Sequence, residues 1–281
     1  MRLGLGLGLD IGYRSELFGG TSYLLDTYTG AAAAYSLRQL RTDVTNVVRV
    51  RRSSDNEELD ITAAEVSDGT LTTWVGANNG FVVTWYDQSG NGNDAAQATA
   101  ANQPKIVDAG SLITENGKPC LSFDGSNTNL ANTSFSLDET IDLSGIIVTK
   151  TNDTTIDQFI IASVNASSNR HAIGVYNTGV FSYQKRLSTQ LVVSGIADTM
   201  QNLLFTINSP SIYINSVLGA SGTTTLFNAR STDNVFFIGG NSSGSANRFN
   251  GSIQEVVYWQ SDQSANRTDI EAEINTHYSI Y

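Results

Sequence analysis

The chain has 281 residues, of which 40% are hydrophobic and only 15% are charged. Its net charge of −11 argues against a nucleic-acid or anionic-membrane partner, because phosphate binding depends on clustered Lys and Arg. The lone Cys120 excludes an intrachain disulfide, and two histidines are too few for a His-rich metal site. No apolar run reaches the roughly 18 residues that a membrane-spanning helix needs, so no membrane insertion is expected.

The first residues of the chain alternate an apolar side chain with glycine. In an extended strand the apolar side chains share one face: Leu3, Leu5, Leu7, Leu9 and Ile11. The opposite face carries only glycine, which lets another backbone approach closely. We therefore expect residues 1–20 to form an arm that packs into a second copy or a larger assembly. An ordinary first strand of the same domain is the alternative.

The next predicted element is a short helix over residues 31–41. This stretch begins with four alanines, and Leu37 and Leu40 follow three residues apart, as on one helix face. Short apolar runs then recur from Phe81–Tyr86 to Ser252–Trp259, separated by Gly, Asn, Ser or Asp. This spacing predicts an all-β fold, with residues 21–281 forming one β-sandwich domain.

The end of the chain reads as a second helix. Ile270, Ile274 and Tyr278 recur every four residues and would share one face. Asp262 or Ser264 is the expected residue at its N-terminal cap. We expect this C-terminal helix to lie across the edge of the sandwich.

One polar loop stands out as a candidate binding site, the string Trp85-Tyr86-Asp87-Gln88-Ser89-Gly90-Asn91-Gly92-Asn93. Its oxygen-bearing side chains suit a sugar or, alternatively, a bound Ca²⁺. The residues we single out are Asp87, Gln88, Asn91 and Asn93. The competing interpretation is that these side chains bond the loop's own backbone, as Asx turns do.

Several strings resemble the catalytic domain of the fungal α-L-arabinofuranosidase B family, over roughly residues 24–281. They are Asp26-Thr-Tyr28-Thr-Gly30-Ala, Tyr35-Ser-Leu-Arg, Arg51-Arg-Ser-Ser-Asp55, Tyr86–Asn93 and Phe237-Ile-Gly-Gly240-Asn. The resemblance implies a concanavalin A-like, jelly-roll β-sandwich, in agreement with the strand pattern. Two further strings, Phe123-Asp124-Gly125 and Gly251-Ser-Ile-Gln-Glu255-Val, are similar to laminin-G-like domains.

The resemblance also bears on catalysis. The family retains anomeric configuration, which needs two carboxyl groups about 5–5.5 Å apart. Aligned by resemblance, His171 takes the place of the nucleophilic Glu, and Asn241 follows Gly239-Gly240 where the family has its acid. The family's paired cysteines are also missing, because Cys120 is alone. These departures predict that the chain is not an enzyme.

The resulting prediction is a non-enzymatic virion structural or attachment protein: a capsid decoration, head fibre or tail-fibre component. Sequences of this style resemble bacteriophage-encoded proteins. The expected partners are its own copies, other virion proteins and a cell-surface glycan, contacted by the polar loop with His171 and Asn241. The expected location is the virion surface or the extracellular space.

The alternative is a glycoside hydrolase of arabinofuranosidase type with a relocated carboxylate pair. The carboxylates that lie near turns or strand ends are the candidates: Asp87, Asp124, Asp157 and Glu255. Two carboxyl groups facing one cleft would favour this alternative over the virion protein.

Overall fold

The structure is a computed structural model that describes residues 22–135, 143–164, 170–175, 180–185, 189–194, 201–206, 211–221, 235–240 and 247–281. The predicted arm, with Leu3, Leu5, Leu7, Leu9 and Ile11, lies outside the described residues, as does Asn241. Strands dominate the described part, so the all-β prediction is confirmed.

The strands are short and follow one another closely along the chain. In chain order they are β1 (Ala31–Ser36), β2 (Asn46–Arg52), β3 (Glu58–Thr62), β4 (Gly80–Trp85), β5 (Ala95–Ala96), β6 (Lys105–Asp108), β7 (Ser111–Leu112), β8 (Thr114–Glu115), β9 (Lys118–Pro119), β10 (Leu121–Asp124), β11 (Leu130–Asn132), β12 (Ser144–Thr151), β13 (Gln158–Val164), β14 (Arg170–Val175), β15 (Val180–Lys185), β16 (Thr189–Ser194), β17 (Gln201–Thr206), β18 (Ser211–Ile214), β19 (Val217–Ser221), β20 (Val235–Ile238) and β21 (Asn250–Trp259). The helices are α1 (Leu24–Thr27), α2 (Ala63–Ser67), α3 (Thr70–Val75) and α4 (Arg267–Tyr278), with a 3₁₀ turn at Ala100–Asn102.

Antiparallel pairing arranges these strands in two layers. The first layer has the strand order β19–β18–β17–β12–β21. On the side of β21 away from β12, β10 pairs with its first half and β1 with its second half. The second runs β16–β15–β14–β13–β20–β11–β5–β4–β2–β3. Strand β6 pairs with both β4 and β10 and so joins the layers.

Aromatic side chains hold the two layers face to face. Tyr35 of the first layer stacks on Phe236 of the second, with ring centroids 6.3 Å apart. Tyr258 meets the same Phe236 ring edge-on at 5.5 Å. Offset and edge-on contacts are the favoured geometries of aromatic pairs. The main core of the sandwich therefore lies between the layers, as the fold prediction implies.

The predicted helix over residues 31–41 is wrong, because Ala31–Ser36 forms strand β1. This strand pairs with β21 and is buried on both faces. Ala33 packs into the main core, whereas Ala34 packs beneath the helices on the outer face of the first layer. Helix propensity is worth less than about 1 kcal/mol per residue, so pairing and two-sided burial override it.

The predicted C-terminal helix is confirmed as α4, but it covers a face of the sandwich rather than its edge, because its apolar side chains pack on the central strands β12 and β21. Its three periodic side chains pack on the outer face of the first layer, against Ile146, Val148, Val257 and Trp259. The predicted cap is wrong, since the helix begins after Asn266 with no side-chain cap bond. Asp262 instead accepts a hydrogen bond from the backbone N–H of Ser264, which closes the preceding turn.

Candidate functional site

The polar loop between β4 and β5 is folded tightly onto β1. The Asp87 carboxylate accepts hydrogen bonds from the backbone N–H groups of Ala34, Ser89 and Asn93, at 2.8–2.9 Å. It also accepts the Ser89 hydroxyl at 2.7 Å. Both carboxylate oxygens are thereby engaged within the protein, so Asp87 anchors the loop to the sheet.

The amide side chains of this loop make similar bonds. Gln88 is buried, accepts the Leu40 N–H and donates to the carbonyls of Ser36 and Arg38. The Asn91 and Asn93 amides donate to the carbonyl of Ala32, and Asn91 also to that of Ala31. Of the four candidates, only Asp87 bonds the loop's own backbone, as the competing interpretation expects, whereas these amides bond the backbone of β1 and of the segment after it. A role of these side chains in ligand binding stays a prediction.

The bonds of Gln88 lead to a stability prediction. Replacing Gln88 by alanine should lower the free energy of unfolding by about 1–3 kcal/mol, because the buried Leu40 N–H loses its acceptor. Gln39→Ala is the matched control, since its amide donates to loop carbonyls that remain partly open to water; we expect less than about 1 kcal/mol. Urea denaturation measures both, and equal losses would contradict the assignment.

A buried ionic cluster lies beneath α4. Glu255 is fully buried and accepts hydrogen bonds from Arg38, the Ser36 hydroxyl and the Tyr278 hydroxyl. Although burial opposes its ionisation, the Arg38 guanidinium and these hydroxyls hold the pKa of Glu255 below its usual value. Arg38 also bonds Glu273, whose pKa burial raises. Glu255 is saturated with partners and is therefore poorly placed to attack a substrate.

A cavity of about 210 Å³ adjoins this cluster and is lined by Arg38, Lys118, His277 and Tyr278 among others. It is smaller than the roughly 300–1,000 Å³ that accommodates drug-sized ligands. Burial lowers the pKa of His277 to about 4, so this imidazole is neutral at pH 7. The cavity offers hydrogen-bonding groups, but Glu255 is not among its lining residues, and both of its carboxylate oxygens already bond other side chains.

Strand register relates the backbone of His171 to the Gly239–Gly240 turn. His171 lies opposite Ser163 on β13, and Ser163 lies opposite Phe236 on β20. The Gly239 N–H instead donates to the carbonyl of Ile160, which is three residues from Ser163, so these two positions of β13 lie about 10 Å apart at roughly 3.3 Å per residue.

A retaining pair requires about 5–5.5 Å between its carboxyl groups. The register places only the backbones of His171 and Gly239, and the position after Gly240 lies outside the described residues. The backbone of His171 lies within β14, and its role as a ligand contact stays a prediction.

Two other carboxylates flank the Gly239–Gly240 turn. Asp124 ends β10 and pairs with Asn250, whereas Asp157 precedes β13 and its carbonyl accepts the Asn247 side-chain amide. Both are exposed, and they belong to opposite layers. The segment 247–250 connects them, so both lie at the same end of the sandwich.

The Gly239 backbone shapes this end of the fold. Its φ is +85°, and a Cβ there would lie 2.3 Å from the Phe123 ring. Only glycine avoids both the left-handed strain and the clash. The turn therefore brings the end of β20 against Phe123, the residue before Asp124.

The carboxylate of Asp124 is ionised. Its Oδ1 accepts three backbone N–H groups, from Ser126, Asn127 and Thr128, and the Thr128 hydroxyl. Burial works against ionisation, but these hydrogen bonds hold the pKa of Asp124 below its usual value. None of these bonds uses Oδ2, and the residue is exposed. Asp124 thus presents an ionised oxygen at the surface.

Sequence reasoning missed Arg38, Glu273 and Arg248. Arg38 belongs to a string of the family resemblance, Tyr35-Ser-Leu-Arg, but its pairing with Glu255 spans more than two hundred residues of chain. Arg248 stands alone in a polar stretch and carries no periodic signal. Its burial is visible only once β20 and β21 are in place.

No group of three His, Cys, Asp or Glu side chains in the described ranges is placed to hold a metal ion. Within the same part of the chain, no helix combines the length and the apolar character needed to cross a membrane. Cys120 is buried, and burial raises the pKa of its thiol to about 12, as expected of a core cysteine.

Comparison with known proteins gives a likeness in fold. No protein-family model matches the sequence, and no curated protein matches it. A GH54 α-L-arabinofuranosidase variant soaked with 4-nitrophenyl α-L-arabinofuranoside superposes with a TM-score of 0.67 at 15% identity, covering 89% of this chain and 64% of that one. An arabinofuranosidase complexed with arabinofuranosyl-α-1,2-xylobiose superposes with a TM-score of 0.65 at 16% identity, covering 88% of this chain and 63% of that one. A Trypanosoma rangeli sialidase superposes with a TM-score of 0.50 at 15% identity, covering 68% of this chain and 31% of that one.

This chain therefore spans less than two thirds of the arabinofuranosidases that it resembles. At such identity the likeness shows the fold, and it confirms the concanavalin A-like sandwich. The predictions of a non-enzymatic virion protein and of a non-enzyme are wrong on this finding, because the structures that match most of the chain are glycoside hydrolases.

Proposed function

We propose that this chain is a glycoside hydrolase of arabinofuranosidase type, with its carboxylates at the Gly239–Gly240 end of the sandwich. The observation that carries the proposal is the superposition on arabinofuranosidases over 88–89% of the chain. The resembling strings, among them the loop Tyr86–Asn93, support it independently of the overall shape.

The proposed pair is Asp124 and Asp157. Glycosidic cleavage needs one carboxylate that attacks or activates water and one carboxylic acid that protonates the leaving oxygen. Asp124 suits the first role, because its hydrogen bonds keep it ionised. Asp157 takes the second role as the exposed carboxylate on the facing layer. Glu255 is excluded from both roles by its burial and its four donors.

The test is release of 4-nitrophenol from 4-nitrophenyl α-L-arabinofuranoside by the purified chain. We expect saturable release, whereas the corresponding β-glucopyranoside should react far more slowly because a furanose and a pyranose differ in shape. Intact, folded protein that releases nothing from either glycoside above the buffer rate would overturn the proposal. Circular dichroism on the same sample establishes that the protein is folded.

A further inference from the structure

The cavity beside Arg38 lies where the end of α4 meets the hairpin β8–β9 and the segment after β1. Asn116, in the turn of the hairpin, donates a hydrogen bond to the carbonyl of Ser279, so the hairpin and the end of the helix are joined beside the cavity. Thr114 and Gly117 line the cavity and are exposed. The cavity is therefore open to solvent, and a small molecule can enter it.

The wall of this cavity has an apolar part and a polar part. Leu37, Leu112 and Pro119 form the apolar part, whereas Lys118 and His277 belong to the polar part. Pockets for small ligands are mostly apolar, with a few polar groups that fix the orientation of the ligand. The volume of about 210 Å³ suits a ligand that is smaller than a drug molecule.

Both charged side chains on the wall are cations, Arg38 and Lys118, but only Arg38 is compensated. The carboxylates of Glu255 and Glu273 both bond its guanidinium. These two carboxylates do not line the cavity, because they lie on the other side of Arg38 from it. The charge of Arg38 is thus already used within the protein.

The ammonium group of Lys118 has no such partner. Glu115 lies opposite Lys118 in the hairpin, but its carboxylate bonds Lys150 instead. No carboxylate of the described residues forms an ion pair with Lys118. The cavity wall therefore carries one positive charge that the described part of the chain leaves uncompensated.

His277 adds a neutral hydrogen-bond donor next to this charge. Burial is the main cause of its lowered pKa, and the positive charges of Arg38 and Lys118 lower it further, whereas Glu255 opposes them. A neutral imidazole has one N–H that donates and one nitrogen that accepts. At pH 7 the side chain can thus donate to a ligand oxygen without carrying a charge of its own.

We propose that this cavity binds a small organic carboxylate, with its charged group between Lys118 and His277 and its carbon skeleton against Leu37, Leu112 and Pro119. The Lys118 ammonium donates a charge-assisted hydrogen bond to the carboxylate, and the His277 N–H donates a second one. Contact with the apolar wall removes the carbon skeleton from water.

This site is separate from the proposed catalytic centre. Asp124 pairs with Asn250 at the start of β21, whereas Arg38 bonds Glu255, five residues farther along the same strand. At roughly 3.3 Å per residue these two positions of β21 lie about 16 Å apart. Binding of the carboxylate therefore does not depend on glycoside cleavage, and the two proposals stand or fail independently.

Sodium benzoate and benzamide test the proposal on the full chain at pH 7, because they differ in charge but hardly in shape. The chain has two histidines, so proton NMR follows each of them, and the variant His171→Gln assigns the two signals. Benzoate should shift the His277 signal saturably and leave the His171 signal in place. Benzamide should bind about tenfold more weakly or worse, since it lacks the charge-assisted bond to Lys118.

Sodium chloride at equal ionic strength is the control for a general effect of salt. A saturable His277 shift that benzoate and benzamide produce with the same dissociation constant would overturn the proposal, because the cavity would then select an apolar ring and not an anion. A His277 signal that benzoate shifts no more than sodium chloride does would overturn it as well.

The variant Lys118→Met tests the proposed charge contact directly. Methionine keeps the apolar stem of lysine but loses the ammonium, so the dissociation constant of benzoate should rise about tenfold. Lys105→Met is the matched control, because Lys105 is also a half-buried strand lysine but pairs with Asp108 on β6. We expect it to bind benzoate like the wild type.

The variant Lys118→Arg should bind benzoate nearly as well as the wild type, because it retains a positive charge and N–H donors. Equal weakening in Lys118→Met and Lys105→Met would overturn the proposal, since only the net charge of the chain would then matter. Binding by Lys118→Met that equals that of the wild type, in protein with an unchanged circular dichroism spectrum, would also overturn it.

Discussion

Replacing Glu255 by glutamine is expected to lower the free energy of unfolding by about 3–5 kcal/mol, the usual cost of breaking a buried ion pair. Glu255 is fully buried and bonds Arg38 through both carboxylate oxygens. Glutamine keeps the shape but removes the charge, which leaves the buried guanidinium without its main partner. Urea denaturation monitored by tryptophan fluorescence measures the change.

The matched control is Glu57→Gln. Glu57 also pairs with an arginine, Arg52, but its side chain is 67% exposed, and such surface pairs contribute about 0–1 kcal/mol. A loss below about 1 kcal/mol in Glu255→Gln as well would contradict the assignment of Glu255 as the anchor of this cluster.

The same carboxylate makes stability depend on pH. The pKa of Glu255 in the folded chain lies below its usual value of 4.5, so the unfolded state takes up this proton first on acidification. The contribution of the ionised Glu255 carboxylate to the free energy of unfolding is complete above about pH 4.5. It is lost as the pH falls through the pKa of Glu255 in the folded chain. The wild type and Glu255→Gln should therefore converge in stability below pH 4.5.

Replacing Asp124 by asparagine should reduce kcat/KM for 4-nitrophenyl α-L-arabinofuranoside by about 10²–10⁴-fold, the range for loss of one acid–base group. Asparagine retains an oxygen that can accept the N–H groups of Ser126 and Thr128, so the turn should survive. The loss would thus report the missing charge rather than an unfolded site. Initial rates and circular dichroism on the same samples measure activity and fold.

Asp68→Asn is the control for this variant. Asp68 is likewise an exposed turn aspartate, whose Oδ1 accepts the Thr70 N–H, but it lies between α2 and α3 and away from the Gly239–Gly240 turn. We expect its rate to equal that of the wild type. Equal rates for Asp124→Asn and Asp68→Asn would remove Asp124 from the proposed pair.

The sequence sufficed to predict the sandwich and α4, because both depend on local periodicity. Short apolar runs between turn residues mark strands, and the four-residue spacing of Ile270, Ile274 and Tyr278 marks a buried helix face. Strand β1 escaped prediction because its alanines favour a helix locally. Its partner β21 lies more than two hundred residues away, beyond the reach of any local pattern.

The candidate site was harder to predict for the same reason. Asp87 bonds β1 as well as its own loop, and Gln88 bonds the backbone of residues 36–40, about fifty residues earlier in the chain. His171 is matched to a family position by its neighbours in sequence. Its position in the sheet instead depends on the register of β14 with β13 and of β13 with β20. Arg248 shows no sequence signal, because burial of a lone arginine is a property of the assembled layers.

The most direct test of the account is a crystal structure of the Asp124→Asn variant soaked with 4-nitrophenyl α-L-arabinofuranoside. We predict an intact glycoside at the Gly239–Gly240 end of the sandwich, with its glycosidic bond between positions 124 and 157. A sugar seated instead on the loop Tyr86–Asn93 or in the cavity beside Arg38 would contradict the proposed catalytic centre.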